Sequence, residues 1–111
     1  QSPFRLSEVM TMWRGTTPTH TFTLPDDMTG SEFEVIYITY SQNSHAVLEK
    51  EKAQMLFSGN EVIIHLTQED TLCFEPGPVK IQLRARLPDG QAVASNIIST
   101  TAREILKDGE I

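Results

Sequence analysis

From Val79 to Leu87 apolar and polar residues alternate without a break. Val79, Ile81, Leu83, Ala85 and Leu87 share one face, and Lys80, Gln82, Arg84 and Arg86 the other. A period of two marks a half-buried β-strand. Pro88-Asp89-Gly90 then reverses the chain and residues 91–98 return, so residues 79–98 read as one hairpin. This loop length sets Leu87 opposite Gln91, Ala85 opposite Val93 and Ile81 opposite Ile97. The inner face is then aliphatic apart from Ser95 and the loop-end Gln91, and the outer face carries a basic stripe. Such a hairpin sets a β fold class and is a spine for it, not a recognition surface.

The remaining segments repeat the pattern. Residues 19–24 alternate His20, Phe22 and Leu24 against three threonines, and predict a first strand. Pro25 to Ser31 has loop composition. Residues 34–40 are the most β-prone stretch, apolar on both faces as in a central strand. A turn at residues 41–44 leads to a weakly alternating strand over residues 45–51. Its charged run Glu49-Lys50-Glu51-Lys52 suits a sheet edge. Residues 54–57 and 61–66 form a second hairpin around Ser58-Gly59-Asn60, where Gly59 supplies the positive φ of a tight turn. Thr67 and Asp70 have the spacing of a helix cap, and predict one helical turn linking one sheet to the other. Residues 99–106 fit either a continued strand or a helical turn, and Thr100 and Thr101 favour the strand. Together these elements predict an all-β chain, an Ig-like β-sandwich of about seven short strands with one short helical turn.

The chain has 111 residues and a 39% hydrophobic fraction, enough for one small core. Residues 1–11 read as a flexible N-terminal segment, with Gln1-Ser2 a cloning remnant and Met10 or Met12 nearer the natural start. Residues 12–106 read as a single sandwich domain and residues 107–111 as a C-terminal tail. The net charge of −6 argues against nucleic acid as a partner. No apolar run reaches the roughly 20 residues of a membrane span, and the first residues lack the pattern of a signal peptide. Cys73 is the single cysteine, so no intrachain disulfide forms. Its neighbours Leu72 and Phe74 predict a small buried side chain.

No catalytic, cofactor or metal site emerges. His20, His45 and His65 lack the close ligand spacing of a zinc site. Asp26-Asp27 and Glu69-Asp70 lie in polar loops, without the alternating acids of a calcium loop. No phosphate loop or nucleophile elbow is present. The expectation is a protein without enzyme activity. Recognition would fall to sheet edges and to aromatic anchors: Trp13, and Tyr37 or Tyr40 where one faces out.

Four stretches carry a family resemblance: residues 12–22 (MWRGTTPTHTF), the segment 35–43 ending in ITYSQN, Leu66-Thr67-Gln68-Glu69-Asp70-Thr71, and the closing hairpin with Ile81-Gln82-Leu83-Arg84, Asp89-Gly90 and Ala94-Ser95. Together they resemble small proteins encoded in the tail regions of phages and prophages of Gram-positive bacteria. They are similar to the N-terminal β-sandwich of phage baseplate upper proteins. The resemblance spans residues 12–105 and rests on turns and strand faces. Baseplate upper proteins carry a long extension after this domain, whereas this sequence ends at Ile111, so the role of an adaptor that holds a receptor-binding trimer is not the expectation here; the matching residues are structural and bring no binding residue with them. The resemblance implies a virion structural or assembly component, made in the bacterial cytoplasm and located in the tail. Its partners would be other tail or baseplate proteins, or further copies of itself as a homo-oligomer. The alternative is a carbohydrate- or host-surface-binding Ig-like module, which requires an exposed row of aromatics.

Overall fold

The structure, a computed structural model, describes residues 12–24, 29, 32–107 and 109–111. Among them are nine strands: β1 (Met12–Trp13), β2 (Thr19–Thr23), β3 (Val35–Gln42), β4 (His45–Glu51), β5 (Leu56–Ser58), β6 (Glu61–His65), β7 (Gly77–Arg86), β8 (Ala92–Ala94) and β9 (Ile98–Arg103). One helix, α1 (Gln68–Leu72), stands between β6 and β7, and a single 3-10 turn (Lys52–Gln54) follows β4. The larger sheet runs β1-β9-β7-β3-β4, with β8 beside β7, and the smaller runs β2-β6-β5. The fold is a β-sandwich. Strand number exceeds the expected seven because Met12–Trp13 pairs parallel with β9 and because the strand returning from β7 is broken in two. The N-terminal segment 1–11 and most of the loop at 25–31, including Asp26-Asp27, lie outside the described residues.

Alternation decides which face each strand buries. On β7, Val79, Ile81 and Leu83 are fully buried and Ala85 nearly so, while Lys80, Arg84 and Arg86 are exposed. On β3, Ile36, Ile38 and Tyr40 stand directly opposite Ala85, Leu83 and Ile81 and are equally buried. The apolar run of β3 does not cover both faces: Tyr37 is 38% exposed, because only one face of this sheet meets another layer. From the smaller sheet, His20, Phe22, Val62 and Ile64 close the core.

The turn between β3 and β4 holds Asn43 and Ser44 at φ 52° and 66°, the left-handed pair that a two-residue hairpin needs. The β4 boundaries and the edge position of its charged run agree with the sequence expectation. The hairpin of the smaller sheet starts later than residue 54, at Leu56, because residues 52–54 are taken up by the 3-10 turn. Around α1, Thr67 Oγ1 accepts from Asp70 N–H at 3.1 Å and Asp70 Oδ2 accepts from Thr67 N–H at 3.0 Å. This reciprocal cap satisfies two donors at the first turn and carries the chain from the smaller sheet to the larger. At the other end of the chain, Ile111 exchanges two hydrogen bonds with the Gln68 side-chain amide, so the tail folds back onto α1.

The closing hairpin departs from its expected register at one point. Ala85 faces Val93 as predicted, but Ile81 faces Ile98 and not Ile97. One extra residue sits between Ser95 and Ile98, which is a β-bulge. Ser95 makes it tolerable: its N–H donates to Leu83 O at 2.8 Å, and its hydroxyl accepts from Leu83 N–H at 3.0 Å. The bulge turns Ile97 outward, where it is 57% exposed, and lets the chain resume as β9. The strand reading of residues 99–106 holds as far as Arg103.

Candidate functional site

The side chains with chemical potential are largely committed to structure. His20 is buried on β2, with Nδ1 2.8 Å from the Tyr40 hydroxyl on β3, so this hydrogen bond crosses between the two sheets. Its Nε2 is buried with no hydrogen-bond partner. Burial pushes the imidazole down from 6.5 to about 4. Tyr40 is fully buried, with its ring against His20 and Phe74, and so drops out as a surface anchor. His65 is exposed on β6 and its Nδ1 lies 2.8 Å from Thr19 Oγ1, while His45 is exposed at the start of β4. The three histidines therefore stand on three strands facing different surroundings. Among the described residues no group of three or more His, Cys, Asp and Glu gathers.

Lys50 departs most from the surface role expected of a charged edge run. It points inward opposite Ile38, is only 8% exposed, and donates to Asp70 Oδ2 at 2.9 Å. Burial pushes the Asp70 carboxyl up, but the Thr67 N–H, the Lys50 ammonium and the Thr67 hydroxyl outweigh it and hold the carboxyl below its ordinary value. The pair ties the edge strand β4 to α1. Cys73 is exposed and not buried as its neighbours suggested, because it caps a five-residue helix whose inward position goes to Thr71, and the next inward place is taken by Phe74 just beyond the helix. Its thiol donates to Glu69 O at 3.3 Å.

What remains for recognition is the outer face of the larger sheet, including the solvent side of the 79–98 hairpin, which the sequence pattern alone marks as a spine and not as a recognition surface. Trp13, Tyr37 and Ile97 are exposed there, at 47, 38 and 57%. Trp13 faces out because Met12, its neighbour on β1, is fully buried, and the Arg103 guanidinium lies 5.6 Å over its ring. Tyr37 borders an open hollow of about 370 Å³ with Thr39, Glu49, Arg84 and Ala92. Ile97 borders a second hollow with Thr39, Ser41, Lys80 and Gln82. Two of the three sequence-predicted anchors, Trp13 and Tyr37, are thus on one face, but Trp13 lies beyond the Gly77 end of β7 and Tyr37 beside Arg84. That offset is about eight residues of strand, or roughly 25 Å. The two do not make the aromatic row that a sugar-binding module requires. Sequence reasoning missed Ile97, because only the bulge at Ser95 turns it outward.

No protein-family model matches the chain, and no curated protein sequence does. Among solved structures it is similar to CopC from Methylosinus trichosporium OB3b, with a TM-score of 0.58 and 10% sequence identity over 96% of this chain and 99% of that one. At that identity the likeness is one of fold, a β-sandwich.

Proposed function

We propose that this chain is a non-enzymatic contact module, a structural or assembly component of a phage tail or baseplate that works by protein–protein binding. One observation carries the contact reading. Apolar side chains large enough to anchor a partner, Trp13, Tyr37 and Ile97, stand exposed on one sheet face, whereas His20, Lys50 and Gln42 are turned inward as structural groups. Aromatic and aliphatic anchors on an open face are the usual substance of a protein interface. The tail assignment is supported by the sequence resemblance over residues 12–105. Its test is mass spectrometry of tailed particles purified from a strain carrying the gene. The chain should co-sediment with the particles in fixed ratio to the other tail proteins. Its absence from intact particles would end the tail reading.

A further inference from the structure

We propose that the outer face of the larger sheet pairs with the same face of a second copy of this chain, about a two-fold axis running along β3. The inference names a partner for the contact face described above. It rests on reading that face as a contact surface, and is independent of the tail assignment.

The strand registers set out a charge pattern with Tyr37 at its centre. Tyr37 stands directly opposite Glu51 of β4 on one side and Arg84 of β7 on the other. One step along, Thr39 stands between Glu49 and Gln82. The β4 side of this face is therefore acidic, while the β7 side is basic through Lys80, Arg84 and Arg86. Among the described residues Glu49, Glu51, Lys80 and Arg84 form no ion pair; Glu49 accepts from the Thr39 hydroxyl at 3.4 Å, and the Glu51 carboxylate accepts from the Gln54 N–H as the cap of the 3-10 turn. Arg86 reaches Glu34 at 3.6 Å, with both side chains half exposed.

A face that is acidic on one side of its midline and basic on the other is complementary to itself. A two-fold along β3 exchanges the two sides and keeps every residue at its own height along the strand. It brings the two Tyr37 rings together and sets Arg84 of each copy over Glu51 of the other. A two-fold running across the strands would instead lay basic β7 over basic β7. The charge pattern therefore selects one of the two axes. Facing sheets pack about 10 Å apart, a gap that opposed arginine and glutamate side chains can span. Ala92 and Ala94 of β8 keep the flank beyond β7 low, so it does not obstruct the approach of the partner's β4 edge, while Ile97 lies outside the overlap. An axis along β3 opposes only the set of β4, β3 and β7 to itself, because β4 is the edge strand on that side, and with β3 eight residues long this patch measures roughly 27 Å by 14 Å. Two such patches bury about 750 Å², the size of a weak, reversible contact. The net charge of −6 opposes association at long range, but salt near 0.15 M screens that term beyond about 8 Å and leaves the close pairs.

The test is sedimentation of the full chain over a wide concentration range at about 0.15 M salt. The expected result is a reversible dimer. Arg84→Glu alone and Glu51→Arg alone should each weaken it roughly tenfold to a hundredfold, since both cross-contacts become like-charged. Mixing the two variants should restore association as a one-to-one heterodimer, because each contact then joins opposite charges. Circular dichroism checks that both variants fold, and Tyr37→Ala provides a second, uncharged disruption of the same face. A wild-type chain that stays monomeric, single variants that dimerise as well as wild type, or a mixture that stays monomeric would each overturn the proposal. The tail reading fails separately, on absence from particles.

Discussion

His20 shows how much one residue can bear in a sandwich this small. It makes a polar link between the two sheets, and its second ring nitrogen is buried without a hydrogen-bond partner. The neutral imidazole is therefore the folded form at neutral pH. With the folded value near 4 against 6.5 unfolded, the unfolded chain takes up the proton first as pH falls. Stability should thus be full above pH 6.5 and decline between 6.5 and about 4, by up to about 3 kcal/mol. Urea denaturation at stepped pH reads this directly, and His20→Phe should flatten the slope across that window. The Lys50–Asp70 pair makes the opposite case, a carboxyl that must stay charged. Asp70→Asn keeps an oxygen for the Thr67 N–H but leaves the inward ammonium without its counter-charge. It should cost about 2 kcal/mol at neutral pH by denaturant midpoint. Because the Asp70 carboxyl is held low, this contribution is present above 3.8 and lost as pH falls below it.

Among the elements, the broken strand β8–β9 is the least legible from sequence. Alternation along β7 predicted which residues are buried, and the loop length predicted the Ala85–Val93 pair. Neither signals an inserted residue, because Ser95 looks the same in a regular strand as in a bulge. The difference lies in where its hydroxyl points, and that depends on Leu83 across the sheet. Ser95→Ala removes the acceptor for a buried N–H, and should destabilise the protein by about 1–3 kcal/mol in thermal or urea unfolding. By contrast, α1 was legible in detail. Thr67 and Asp70 are three residues apart, and their reciprocal hydrogen bonds form within the segment itself.

At the scale of the whole molecule, the pairings β1–β9, β2–β6 and β3–β7 join distant parts of the chain. Loop-closure entropy must be met before such contacts form, so folding in milliseconds to seconds is expected rather than microseconds. Protection should be uneven. β3 and β7 each have neighbours on both sides and bury the centre of the core, whereas the three-residue β5 lies at an edge with Leu56 55% exposed. Amide hydrogen exchange should therefore be slowest at Ile38 and Leu83 and fastest, among the strands, in β5. Equal rates across both sheets would contradict this.

By itself the sequence determined the class of fold, the faces of β2 and β7 that enter the core, the tight turns, and the helical link between the sheets. These follow from local rules: side chains alternate along a strand, glycine and asparagine accept positive φ, and a cap bonds within a few residues. Only the tertiary structure decided that Tyr37 is exposed while Tyr40 is buried against His20, that Lys50 turns inward to Asp70, that Cys73 faces out, and that Ile97 joins Tyr37 on an open face. Each of these depends on what another strand or helix places opposite the residue. A side chain's own neighbours in the chain carry no information about that partner.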